Sequence, residues 1–155
     1  MAKLKFKDRQ LTGNVGLFFI SYRLSRLGWN VLPTSRNAKG IDILAYGKHG
    51  DKYTIQTKGY TERGAIGPFK EKTDVIADFY IVASYVYQSP KTYILTKNEV
   101  TKLLRLQDGK YWLEYRDYEK AEFLEKWDKI GFGFSDKMES EQIIKIDSEL
   151  VSNRN

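Results

Sequence analysis

The chain has 155 residues, with 26 Lys and Arg against 20 Asp and Glu, one His and no Cys. That length suits a single domain with one core. Without Cys there is no disulfide scaffold, Cys nucleophile, iron–sulfur cluster or thiolate zinc site, and one His cannot supply a paired-imidazole metal centre. The charge is uneven. Residues 1–70 carry 13 basic and 4 acidic side chains, a balance of +9, whereas residues 71–155 carry 13 and 16, a balance of −3. A basic half of this kind points to a polyanionic partner, nucleic acid first and an acidic membrane surface second. No apolar run approaches the roughly 18 residues needed to span a bilayer. The segment from Met1 to Gln10 lacks an apolar signal core. A soluble cytosolic protein is therefore expected, and any metal should be a hard, oxygen-ligated ion such as magnesium, manganese or calcium.

The first predicted element is a helix capped by Thr12 or Asn14. Val15, Phe18, Phe19 and Tyr22 form one apolar stripe, with Leu17, Ile20, Leu24 and Leu27 beside it, and Gly28 ends the helix. A strand from Trp29 to Leu32 stops at Pro33, and a polar, basic loop follows from Thr34 to Gly40. Strands Ile41 to Tyr46 and Tyr53 to Tyr60 flank a Gly-rich turn centred on His49, the pattern of a β-hairpin. A short helix is expected from Glu71 to Ala77, then strands Phe79 to Tyr87 and Lys91 to Leu95. Beyond these come a helix from Asn98 to Leu106, a strand from Lys110 to Arg116 and an amphipathic helix from Tyr118 to Ile130. The order predicts a mixed α/β domain over residues 1–133, with a polar C-terminal tail over 134–155.

The hairpin carries the chemistry. Centred on His49, it opposes Asp42 to Gln56 and Gly40 to Lys58. Alternation then places Asp42, Gln56 and Lys58 on one face, with Ile41, Ile43 and Ile55 on the other. A carboxylate, an amide oxygen and an ammonium group thus meet at the end of a sheet. Asp42 can hold a divalent cation, with the Gln56 side-chain oxygen and the Thr57 carbonyl as further ligands. Lys58 is placed to orient or deprotonate a water, or to stabilise charge growing on a phosphate. Arg36, Asn37, Lys39, Arg63 and Lys70 lie in the flanking loops as candidate DNA-binding residues.

The stretch from Thr12-Gly13-Asn14-Val15-Gly16 through Gly59 resembles the PD-(D/E)XK, or restriction-endonuclease-like, nuclease superfamily. Gly40-Ile41-Asp42-Ile43-Leu44 and Ile55-Gln56-Thr57-Lys58 are the matching residues. In layout it is most similar to the Mrr-type restriction and archaeal Holliday-junction-resolvase branches, some of whose members also carry Gln in place of the second acid. The resemblance implies a three-layer sandwich with a central mixed sheet flanked by helices, built on an αβββαβ core. It also implies Mg2+- or Mn2+-dependent hydrolysis of phosphodiesters in duplex or branched DNA, with Asp42 and Gln56 at the metal and Lys58 at the nucleophile. A homodimer is expected by analogy. Two positions depart from the pattern: Leu17 follows Gly16 where such families often carry Glu, and position 56 is Gln. Two rival readings therefore stand beside the nuclease. One is a catalytically inactive nucleic-acid-binding module of the same fold. The other is an RNA-binding or interaction protein that uses its 11 Tyr and 8 Phe.

Overall fold

In the computed structural model, which describes residues 8–35 and 38–153, Asp8 rather than Thr12 or Asn14 caps the first helix. Its carboxylate accepts the N–H groups of Gln10 (2.9 Å) and Leu11 (3.2 Å), so α1 runs from Arg9 to Arg26. Thr12 lies inside the helix and is buried, its hydroxyl donating to the Asp8 carbonyl at 3.1 Å. Gly28 follows the helix at φ +84°, a conformation that favours glycine. One of the two predicted stripes dominates the packing. Ile20 and Leu24 are fully buried, whereas Phe18 is 64% and Tyr22 54% exposed.

The strands are β1 (Asn30–Pro33), β2 (Ile43–Tyr46), β3 (Lys52–Gly59), β4 (Ile66–Phe69), β5 (Phe79–Ser84), β6 (Lys91–Thr96), β7 (Arg105–Gln107) and β8 (Lys110–Leu113). The remaining helices are α2 (Lys97–Leu103), α3 (Tyr115–Tyr118) and α4 (Lys137–Ser152). The main sheet has the order β1-β2-β3-β5-β6, and a three-stranded sheet has the order β4-β8-β7. Among the described residues only β3 and β5 pair in parallel, so the main sheet is mixed. The β2–β3 register pairs Ile43 with Ile55 and Tyr46 with Lys52, centred on His49 as the sequence predicts. Alternation along β5 builds two cores. Phe79, Ile81 and Ala83 join Ile20, Leu24, Ile43 and Ile55 beneath α1, while Tyr80 and Val82 join Ile66, Leu95, Val100 and Leu113 beneath the small sheet and α2. No described helix is long and apolar enough to cross a membrane.

Three segments depart furthest from expectation. The helix predicted over Glu71 to Ala77 is a single 3-10 turn, Lys72–Asp74. The Asp74 carboxylate accepts the Lys70 and Glu71 N–H groups, and Val75 is extended, so Val75 and Ala77 reach the second core. The connection from β3 to β5 accordingly holds β4 and this turn, where an αβββαβ core requires a helix. The amphipathic pattern from Tyr118 to Ile130 is not one helix either. Leu124 bridges Tyr93, the Ile94 N–H donates to the Phe123 carbonyl (2.9 Å), and the Glu125 N–H donates to the Thr92 carbonyl (2.8 Å). The open edge of β6 thus captures the segment, and Glu125 at φ +53° breaks any helix there. Finally, residues 137–152, read as polar tail, form α4, which Asp136 caps. Ile143 and Ile144 pack on the first core.

Helix α1 crosses β3 at two glycines. A Cβ on Gly16 would lie 2.6 Å from the Gly59 Cα, and one on Gly59 would lie 2.6 Å from the Thr12 carbonyl oxygen. Backbone meets backbone here, so no flexible side chain can yield. Gly59→Ala is expected to lower stability by about 1–3 kcal/mol. Gly16→Ala should lose less, because alanine regains up to about 1 kcal/mol of helix propensity. Urea-denaturation midpoints check both values.

Around the second core the Tyr60 hydroxyl donates to the Ala65 carbonyl and the Tyr118 hydroxyl to the Gly64 carbonyl. Burial, helped by Glu114 for Tyr60 and Glu119 for Tyr93, pushes both of these phenols up to about 12; burial raises Tyr118 as well. Tyrosines in an unfolded chain ionise near pH ~10. The stability held by the neutral phenols is therefore complete below about pH 10 and is lost as pH rises through the folded values. An alkaline titration of tyrosinate absorbance should show these three ionising late, together with unfolding.

Candidate active site

Asp42 sits where β2 loses its regular pairing with β3. Its N–H donates at 2.9 Å to the carbonyl of Ile55, the residue that is already the register partner of Ile43. Two residues facing one is the mark of a β-bulge, which re-aims a side chain. The Asp42 backbone is held from the other side too. Its carbonyl accepts the Thr34 N–H (2.8 Å), and the Thr34 hydroxyl donates to the Ile41 carbonyl (2.6 Å). The side chain then turns toward β3, and its Oδ2 accepts the Thr57 N–H at 2.7 Å and the Thr57 hydroxyl at 3.2 Å. Both bonds fall on Oδ2, which leaves Oδ1 for another partner.

Sequence alternation opposes Asp42 to Gln56, but the structure brings the carboxylate to Thr57. A hairpin template has no term for the bulge. Gln56 and Lys58 do share a face, since their β5 partners Tyr80 and Val82 belong to the second core, while the partners of Ile55 and Thr57 belong to the first. Both Gln56 and Lys58 are half-buried. The Gln56 Oε1 is buried and has no hydrogen-bond donor among the described residues. An amide oxygen in that state carries an unmet demand for positive charge.

Other acids do not gather here. Asp78 Oδ2 accepts the Thr54 N–H (2.8 Å) and hydroxyl (3.0 Å), and Asp74 caps its own turn. Among the described residues no three His, Cys, Asp or Glu side chains cluster as a metal site. Leu17, the residue after Gly16, is partly buried against the first core.

Of the candidate DNA-binding residues, Arg36 and Asn37 lie outside the described residues. Lys39 and Lys70 are exposed, Lys39 beside Gly40 and Lys70 at the end of β4. Arg63 is engaged within the protein. Its Nε donates to the Tyr85 hydroxyl at 2.8 Å and lies 3.4 Å from Glu119, and its guanidinium covers the Tyr85 and Tyr115 rings. The Tyr85 bond, then the Glu119 charge, raise its pKa further. Tyr85 and Tyr115 lie 22 and 52 positions beyond Arg63 in sequence, and no local spacing signals that they hold this cation. His49 occupies the exposed turn tip that its flanking glycines suggest.

No family model matches the chain, and no curated protein matches it. Among solved structures the chain is similar to the bacterial homing endonuclease I-Ssp6803I, with a TM-score of 0.55 and 14% identity over 78% of this chain and 91% of that one. At that identity the likeness is one of fold: this chain's mixed sheet and flanking helices are arranged like those of a nuclease.

Proposed function

We propose that the protein is a metal-dependent endonuclease of the PD-(D/E)XK type, hydrolysing DNA phosphodiesters with Gln56 in place of the second acid. The observation that carries the reading is a pair of oxygen acceptors: Asp42 Oδ1, on a carboxylate fixed through Oδ2, and Gln56 Oε1, buried without a donor on the adjoining strand. Acceptor oxygens with no donor suit a hard cation. The Thr57 carbonyl fits as a third ligand, because N–H and C=O of one strand residue project to the same edge and the Thr57 N–H points at Asp42. Asp42, Gln56 and Thr57 would hold Mg2+ or Mn2+. Bound there, the ion would act as Lewis acid on the phosphoryl oxygen and lower the pKa of a coordinated water. Lys58, on the Gln56 face, orients the attacking water or neutralises charge growing on the phosphate. Lys39, Lys70 and the loop residues Arg36 and Asn37 contact backbone phosphates, and Arg63 does so if it exchanges Glu119 for a phosphate. The homing-endonuclease likeness supports DNA as substrate, duplex and branched DNA both fall within the proposal, and a homodimer would place one site on each strand.

A second reading has its own observation. With Leu17 packed against the core and no cluster of three metal-ligating side chains among the described residues, the fold would also serve as a nucleic-acid-binding module without catalysis. Incubating the protein with plasmid and branched DNA in magnesium and in manganese separates the two. Cleavage lost in Asp42→Ala and Lys58→Ala supports the nuclease. Binding without cleavage in either metal supports the module, and cleavage that survives both substitutions removes these residues from the site.

A further inference from the structure

We infer that Thr57 is the positioning residue of this site. Its N–H and its hydroxyl clamp one oxygen of Asp42, so the other oxygen is the one presented to the cation. This inference rests on the metal-site reading above and adds a role that the spacing of the motif does not reveal, since the spacing offers only the Thr57 carbonyl.

The argument begins with what a lone carboxylate lacks. In a site with several acids, electrostatics alone confines the ion, and each side chain can shift to meet it. Here a single Asp, from a short loop and strand end, must be held by something else. The bulge fixes its backbone through the Ile55 carbonyl and the Thr34 N–H. Its remaining freedom is rotation of the side chain, and the two bonds from Thr57, at 2.7 and 3.2 Å on the same Oδ2, remove it. Both donors belong to one residue of β3, so carboxylate orientation is tied to the strand that carries Gln56 and Lys58. Donors on a ligating carboxylate draw some charge from it, which opposes cation binding. The pull falls mainly on Oδ2, and a fixed orientation prepared before the ion arrives outweighs it.

Thr57→Val tests this, because it keeps the shape and the N–H while deleting the hydroxyl. The probe is Mn2+, followed by electron paramagnetic resonance in the presence of a duplex oligonucleotide, alongside cleavage. Wild type should bind Mn2+ and Asp42→Ala should not. Thr57→Val should weaken Mn2+ affinity roughly 10-fold, the lower end of what outer-shell ligand partners contribute. Thr57→Ser should restore it to within about 2-fold by the same reasoning. DNA affinity without metal and the thermal midpoint should be unchanged. If Thr57→Val does not fold, Thr57→Ala compared with Thr57→Ser gives the same contrast. Unchanged Mn2+ affinity in Thr57→Val, with binding still abolished in Asp42→Ala, overturns the positioning role and leaves the metal site intact. Wild type without Asp42-dependent Mn2+ binding overturns both.

Discussion

Replacing Asp42 by Ala is expected to lower single-turnover DNA cleavage by at least about 10³-fold, the scale on which removing a group that stabilises transition-state charge is felt. The effect should be large because no three metal-ligating side chains cluster among the described residues to stand in for it. Two carboxylates of the connection that follows β3 have other duties, with Asp78 on Thr54 and Asp74 capping its own turn. Lys58→Ala should cost on the order of 10²–10⁴-fold through loss of proton handling or phosphate neutralisation. Lys58→Arg should not rescue it, because a guanidinium does not deprotonate and presents a planar fork where a compact ammonium stood. The informative companion is Gln56→Glu. It converts the unsatisfied amide oxygen into a second carboxylate, and ligand charge count sets the affinity of oxygen-ligated sites, so the half-saturating metal concentration should fall by roughly 10-fold. In the absence of metal the same change adds a negative charge facing DNA and should weaken DNA binding. Cleavage measured against magnesium and manganese concentration gives the four cleavage results, and a metal-free DNA titration gives the fifth. A Gln56→Glu protein with an unaltered metal requirement would remove position 56 from the ligand set.

The apolar pattern made the hairpin legible. Ile43 and Ile55 must both point inward, a one-residue slip would turn one of them out, and the Gly-rich turn centres the pairing on His49, so that pairing appears as the sequence suggests. What the pattern could not show is the bulge at Asp42. That feature arises from competition among Thr34, Ile55 and Thr57 for the backbone and side chain of one residue, and those partners meet only after folding. The strands β4 and β7 are not legible for a different reason. At three or four residues they contain too few alternations to stand out. The segment from Tyr118 to Ile130 misled because its spacing fits a helix, yet the unpaired edge of β6 offered backbone hydrogen bonds and a partner for Leu124. In α4 the apolar pair Ile143 and Ile144 was visible. Its contact through Asp147 was not, because the partners Arg23 and Arg26 lie more than a hundred residues earlier.

Those same partners underlie the largest expected loss of stability. Arg23 is buried, with Glu125 Oε2 at 2.8 Å and Asp147 Oδ2 at 3.0 Å, and each of these side chains is only 6–8% exposed. Glu125 also accepts the Thr92 N–H and hydroxyl and the Trp127 ring N–H, and the guanidinium lies 4.9 Å from the Trp127 ring centre. One cation therefore ties α1, the segment beside β6, and α4. Arg23→Ala would strand two carboxylates in the interior and is expected to cost about 3–5 kcal/mol, the usual result of breaking a buried ion pair from one side. Arg23→Met separates charge from packing. Its unbranched chain can still cover Phe19 and Trp127, so a loss near that of Arg23→Ala would assign the effect to the unpaired acids. Arg26 reaches Asp147 at 3.4 Å but is one-third exposed, and Arg26→Ala should cost about 1 kcal/mol or less. A double-mutant cycle of Arg23→Met with Asp147→Asn should show a coupling of roughly 0.5–3 kcal/mol, because removing the acid relieves the stranded charge. Denaturant unfolding of the four proteins measures it. Additive losses would mean that α4 is held by Ile143 and Ile144 and that its ion pair contributes nothing to holding it.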